Sequence, residues 1–257
     1  MLTFSEAQVS AWLLPLFWPF LRALALLSVL PVLGNRSVPA RVRIALAGFI
    51  AFAAQPSLPA LGAEVAATSL DSPMAFMLVA QQLVIGLSLG FAVRLVFAAV
   101  EFGGELIGLQ MGLNFAGFFD PVAASNGTAT ARFFGTLVAW MFVVIGGHLI
   151  VIAALVQSFQ SFPIGPEPFA FVRQTLPHQW GAEIFAVGFW IALPIVTMIL
   201  MVNLILGAVS RVAPQVNIFA LGFPVTLSVG LLGLLLTLPA LEAPFTMALE
   251  RVLENFR

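Results

Sequence analysis

Residues 184–209, IFAVGFWIALPIVTMILMVNLILGAV, run for 26 positions without an Asp, Glu, Lys or Arg. About 20 apolar residues suffice for a helix to cross the ~30 Å hydrocarbon core of a bilayer. The stretch is long enough to do so, although Pro194 interrupts it. Other apolar runs lie at Val9 to Leu33, Ile44 to Ala54, Met74 to Val100, Phe133 to Phe159 and Ile218 to Leu241. The run from Ile44 is short and is followed closely by Pro56 and Pro59. Pro15, Pro19 and Pro31 interrupt the first run, and Pro224 and Pro239 the last. A proline within a membrane frees backbone groups that must be buried in protein. The pattern therefore predicts helices packed on one another. No run alternates apolar and polar residues with a period of two, so barrel strands are excluded.

Composition agrees with this fold class. The chain is 61% hydrophobic and 8% charged, whereas a soluble domain is about half apolar and about a quarter charged. A net charge of −1 gives no electrostatic case for nucleic acid. Every basic residue is Arg, and Cys is absent. Without Cys there is no disulfide, thiolate metal site or cysteine nucleophile. With two His in the whole chain, no metal or other cofactor is expected. The first charge is Glu6 and the first basic residue is Arg22, inside an apolar run. A cleaved leader has basic residues before its apolar stretch, so the N-terminus is expected to be retained.

Short polar connectors let the Arg distribution set orientation. Arg36, Arg41 and Arg43 place the first connector in the cytoplasm, and residues 55–73, without Arg, outside. Arg132 and Arg211 return to the cytoplasmic side. Six spans result, with both termini outside. Residues 242–257 are amphipathic and are expected to lie at a surface.

Between Val100 and Phe133 the chain reads EFGGELIGLQMGLNFAGFFDPVAASNGTATAR. Gly104, Gly108 and Gly112 form one small-residue face at four-residue spacing, which permits close backbone approach. Asp120-Pro121 breaks the stretch, and residues 123–130 read as a loop. The whole predicts a Gly-rich re-entrant segment. The fold class is thus all-α, with polytopic, Pro-broken membrane-type helices, helical hairpins and this re-entrant segment.

Four motifs have competing readings. Gly86-Leu87-Ser88-Leu89-Gly90 matches a nucleophile elbow, but that elbow needs a strand before the Ser. Within an apolar helix it reads as a G-x-x-x-G packing contact. His148 has no carboxylate one turn away, so a packed, hydrogen-bonded His is favoured over a proton relay. Arg94, Glu101 and Glu105 fall in a narrow arc if one helix carries all three. They form either a paired or wet charged face, or a helix end in the headgroups. Residues 211–217, RVAPQVN, are the polar tip of a hairpin of two apolar helices.

The chain resembles the FliR family of flagellar biosynthetic proteins over almost its whole length. Phe17-Trp18-Pro19-Phe20-Leu21-Arg22 is followed by Pro31 and the Arg36 to Arg43 cluster. Residues 104–113, GELIGLQMGL, lead to Phe115-Ala116 and Asp120-Pro121. Gly147-His148, Pro163-Ile164-Gly165, Leu206-Gly207, Arg211, Ala213-Pro214-Gln215, Ile218-Phe219 and Gly222-Phe223-Pro224 follow in order. Each piece is weak alone, and their order together is specific.

The resemblance implies a non-enzymatic subunit of the flagellar type III export gate in the bacterial inner membrane, at the flagellar basal body. It implies assembly with FliP, FliQ, FlhB and FlhA homologues, and exported unfolded flagellar proteins as cargo. It further implies a FliP-like part, residues 1–182, joined to a FliQ-like hairpin and amphipathic segment, residues 183–257. It implies a pore plug at Gln110, Met111, Gly112, Leu113, Asn114, Phe115, Ala116, Gly117 and Phe118, within a Gly-rich segment of about 101–131. Composition is compatible, because apolar groups can seal a narrow pore by dewetting. The competing reading is a helix-packing segment. The tip residues Arg211, Pro214, Gln215, Val216 and Asn217 are expected to face the cytoplasm and dock a partner. The alternative function is a small-solute secondary transporter. That class shows matched repeats with broken helices, and no convincing repeat is present.

Overall fold

The computed structural model describes residues 6–35, 37–60, 62, 65, 68, 72–113, 127–165, 167, 170–175, 177, 180–213, 215 and 218–256. Its helices are α1 (Glu6–Val29), α2 (Ala40–Ala54), α3 (Pro73–Gln110), α4 (Ala129–Val144), α5 (Gly147–Ser161), α6 (Ala170–Thr175), α7 (Gly181–Val212), α8 (Ile218–Thr237) and α9 (Glu242–Leu253). Short 3-10 turns lie at Gln55–Ser57, Leu238–Leu241 and Glu254–Phe256. No strand occurs among the described residues, so the all-α, membrane-type class holds.

The chain forms two compact units. The first comprises Met1–Arg94, Ile145–Trp180 and Leu249–Arg257. In it, α1 packs on α2 and buries Trp18, Arg22 and Leu26, each one turn after the last, with Leu30 buried just beyond its end. Residues at i and i+4 share a helix face. Gly86 and Gly90 of α3 meet this helix directly: a methyl on Gly90 would lie 2.9 Å from the Leu26 carbonyl oxygen, and one on Gly86 would run into that of Arg22. The G-x-S-x-G match is therefore a backbone-to-backbone crossing, not an elbow. Helix α5 buries Val151, Ala154, Leu155, Ser158 and Phe159, the stripe expected of a helix with one face inward.

Replacing Gly86 by Val should destabilise this unit by about 1–3 kcal/mol, the usual range for overpacking, because backbone cannot yield as a flexible side chain does. Gly48→Ala on α2 is the control, since nothing lies within 4 Å of its added methyl. Thermal unfolding of the purified assembly measures both; equal midpoints for the two variants would contradict the crossing.

The second unit comprises Leu95–Val144 and Gly181–Ala248. Gly103 of α3 faces Gly188 of α7, with the Gly188 carbonyl 3.0 Å from where a Gly103 methyl would sit. Phe97 stacks edge-on with Phe142 at 5.4 Å and with Phe245 at 5.8 Å. Helices α7 and α8 pack together as a hairpin. Its outer residues are apolar: Trp190 is 67% exposed, Leu204 66% and Leu236 74%. Such surface needs lipid or protein cover.

The structure corrects four expectations. Three runs among the described residues are long and apolar enough to cross a membrane, namely Pro73–Gln110, Gly181–Val212 and Ala220–Phe256, in place of six. Helix α2 has 15 residues, about 22 Å at 1.5 Å per residue, short of the hydrocarbon core. The run from Phe133 to Phe159 is interrupted at Gly146, whose φ of +72° suits a residue without Cβ. The halves α4 and α5 could at most form one broken span. The Gly-rich segment begins as helix, since α3 continues unbroken to Gln110, and Thr130 already lies in α4. Finally, the C-terminal segment does not present its apolar stripe to a membrane surface. Phe245, Leu249, Leu253 and Phe256 are buried inside the protein, with Phe256 stacked on Phe171 at 5.4 Å and on Trp180 at 5.6 Å.

Candidate functional site

The end of α3 carries the first group of candidate residues. Because α3 is continuous, Arg94, Glu101 and Glu105 share one helix. Arg94 and Glu101 are exposed, and Glu105 is half-buried. The Glu105 carboxylate accepts from the backbone N–H and the hydroxyl of Thr128, both at 2.9 Å. Thr128 precedes α4, and its side-chain oxygen accepts from the Ala131 N–H at 3.2 Å, the N-cap bond of a helix. Glu105 thus sits at the positive end of the α4 dipole, where a carboxylate is stabilised. Gly104 permits this approach: a methyl there would lie 3.0 Å from the Thr130 carbonyl oxygen. Glu101 lies over Gly135, whose added methyl would be 2.8 Å from its Oε1. Glu101, Glu105, Arg132 and Thr136 line an open groove of about 840 Å³. The charged face is therefore pinned to α4 through Glu105, while Arg94 and Glu101 are exposed.

Beyond Gln110, helix α3 is capped at Gly112, with φ +79°. The Leu113 N–H bonds the Gly108 carbonyl at 3.0 Å and the Gly112 N–H bonds the Leu109 carbonyl at 3.1 Å, the pair that defines a Schellman cap. Gly112→Ala should cost about 1–2 kcal/mol, the penalty of the left-handed region for a residue with Cβ. Gly112→Asn should lose less, since Asn visits this region more readily. Denaturation of the purified assembly tests the order; Ala at or above Asn would refute it.

Of the plug residues, Gln110 is exposed, Met111 fully buried and Leu113 half-buried. Asn114, Phe115, Ala116, Gly117 and Phe118 lie outside the described residues. At the hairpin tip Arg211 and Gln215 are exposed, while Pro214, Val216 and Asn217 lie outside the described residues. His148 is half-buried as the second residue of α5.

One cluster escaped the sequence reading. Arg22 has no exposed surface, and its guanidinium is held by neutral acceptors. Nε donates to Gln82 Oε1 at 2.8 Å, and Nη1 to the Ser158 carbonyl at 2.9 Å and its hydroxyl at 3.0 Å. Nη2 donates to the Phe162 carbonyl at 3.0 Å, and the group lies 3.8 Å from the Phe159 ring centroid. Gln82 Nε2 donates to Gln81 Oε1 at 2.9 Å. Gln81 in turn donates to the Pro163 carbonyl and accepts from the Gly165 N–H, both at 3.2 Å. A cation at the last carbonyls of α5 also suits that helix's dipole. The available signal was an Arg and a Gln-Gln pair inside apolar runs.

A family model described as bacterial export proteins, family 1, matches residues 13–252. The chain belongs to this family. It is 46% identical over 248 residues to the flagellar biosynthetic protein FliR of Escherichia coli (strain K12), covering 95% of this chain and 92% of that one. With FliR of Pectobacterium carotovorum subsp. carotovorum it shares 42% over 245 residues, 95% and 92% of the two chains. With FliR of Bacillus subtilis (strain 168) it shares 27% over 246 residues, 93% and 91%. This export protein is a component of the flagellar type III export apparatus, and a solute transporter is not favoured. Arg22, Pro163 and Gly165, which carried part of the resemblance, are brought together in one polar network of the export protein.

Proposed function

We propose that this chain is a channel-forming subunit of the flagellar export gate in the bacterial inner membrane, at the base of the flagellum. It assembles there with FliP, FliQ, FlhB and FlhA homologues and helps pass unfolded flagellar proteins out of the cytoplasm. Its role is structural rather than catalytic. Residues 1–182 act as a FliP-like part and residues 183–257 as a FliQ-like hairpin with its C-terminal segment. The observation that carries this reading is the hairpin's apolar surface: 28% of the most apolar part of α7 is buried, against 61% for that of α3. That surface fits neighbouring subunits and lipid. Gln110 to Phe118 form a movable plug, and the tip at Arg211, Pro214, Gln215, Val216 and Asn217 faces the cytoplasm and docks a partner. The charged face of Arg94, Glu101 and Glu105 supplies polar contacts to the assembly.

Expressing the chain alone and with its neighbours, then sizing each in detergent, tests the assembly. The lone chain should be polydisperse and the co-expressed one monodisperse. A well-folded, monodisperse lone chain overturns the proposal. Because the chain lacks Cys, Val216→Cys gives a single label site at the tip. Efficient reaction with an impermeant reagent outside spheroplasts would reverse the assigned orientation.

A further inference from the structure

Helix α2 has one face left uncovered among the described residues. Its buried side is Ala47, Ile50, Ala51 and Ala54. Positions 41, 45, 48, 49 and 52 fall on the opposite side, as their helical spacing requires. There Arg41, Ala45, Phe49 and Phe52 are exposed, Phe49 to 70% and Phe52 to 69%. A methyl added to Gly48 between them would meet nothing within 4 Å. The face is graded along the helix. Its cation stands in the first turn, and the two rings lie about 12 and 16 Å further on, at 1.5 Å per residue.

Charge and shape both indicate what covers this face. Arg41 forms no ion pair among the described residues, and no Asp or Glu occurs in the sequence between Glu6 and Glu64. Arg43 is half-buried and donates to the Val38 carbonyl at 3.5 Å, so Arg41 is the cation of the exposed face. The first turn of α2 holds no acidic residue, and Pro39 before it provides no side-chain cap. Cations are unfavourable at this positive end of a helix, and an anion bound from outside offsets that cost. As to shape, helices that pack closely in a membrane do so on small residues four apart. Here each small residue is followed one turn later by a phenylalanine, Ala45 by Phe49 and Gly48 by Phe52. No smooth seam for another helix results, whereas mobile acyl chains conform to projecting rings.

We propose that this face of α2 binds anionic phospholipid, with Arg41 on the headgroup phosphate and Phe49 and Phe52 among the acyl chains. An Arg fork matches phosphate oxygens with paired donors. The reach from Arg41 to the rings is about half of the ~30 Å hydrocarbon core, so lipid of a single leaflet contacts all three side chains. The inference rests on the inner-membrane reading for the presence of that lipid.

The test uses the assembled complex in vesicles of phosphatidylethanolamine and phosphatidylglycerol. A Phe49→Cys variant carries a fluorophore on the one thiol of this chain, since the parent has none. The parent complex, taken through the same labelling, gives the background from partner thiols. Nitroxide-tagged phosphatidylglycerol should quench the label on the order of fivefold more strongly than nitroxide-tagged phosphatidylcholine at equal mole fraction, the preference one Arg near an anionic surface confers. Adding Arg41→Gln should abolish that preference and leave quenching by phosphatidylcholine unchanged. Phe52→Cys serves as the reporter should Phe49→Cys fail to assemble. No quenching by either lipid puts water or a neighbouring subunit on the face and overturns the inference. Equal quenching by the two lipids, or a preference that survives Arg41→Gln, overturns it as well. Complex that stays in carbonate-washed cell membranes yet shows no quenching sinks this inference alone. Complex washed out of them overturns the membrane reading beneath it.

Discussion

Replacing Arg22 by Ala should cut the recovered complex on the order of tenfold or more and lower the thermal midpoint of what remains. Arg22 has no exposed surface and donates four hydrogen bonds to three residues, Gln82, Ser158 and Phe162. Truncation removes a buried donor from Gln82 Oε1 and the Ser158 hydroxyl, although the Ser158 carbonyl keeps the Phe162 N–H at 3.0 Å, and it opens a side-chain-sized void. Each buried group left unsatisfied costs about 1–3 kcal/mol, a large part of the total stability of a typical domain. Arg22→Lys should recover little, despite keeping the charge. One ammonium cannot hold the fork between Gln82 and Phe162, nor stack flat on Phe159. Yield from membranes and thermal denaturation of the purified assembly measure both variants. Parent yield and midpoint in Arg22→Ala would show that the network is dispensable.

Deleting Leu113 to Gly117 should raise ion conductance on the order of tenfold in membranes that still hold normal amounts of complex, because the apolar seal is gone. Met111, fully buried against Gly230 of α8, is kept in this variant. A segment that only packs helices predicts the opposite pair of results, lost complex and no leak. Conductance and yield are therefore measured on the same membranes. Normal yield with a tight membrane rejects the plug.

Much of the fold was legible in the sequence because burial leaves periodic traces. The charge-free run 184–209 became α7, and Val151, Ala154, Leu155, Ser158 and Phe159 fell on one face as their spacing requires. The small-residue spacing of Gly86 and Gly90 correctly overrode the enzyme-like motif they spell. Family membership was legible too, since it rests on the order of many short motifs rather than on geometry. Span number was not, because apolar composition does not say whether lipid or protein covers a helix. The C-terminal stripe is apolar for the second reason, with Phe245 and Leu249 buried inside the chain, whereas the run from Ile44 to Ala54 buries Ala47 and Ile50 but leaves Phe49 70% and Phe52 69% exposed.

The sequence by itself determined the helical class, the hairpin of two apolar helices joined at residues 211–217 and the family. Only tertiary structure decided which polar groups share a site. Gln82 and Ser158 lie 60 and 136 residues from Arg22, and Met111, just past the end of α3, meets Gly230 of α8. Helix periodicity reports which face is buried over a few turns. It carries no record of which distant segment covers that face, and hydrogen bonds and knob-in-hole contacts depend on that segment alone.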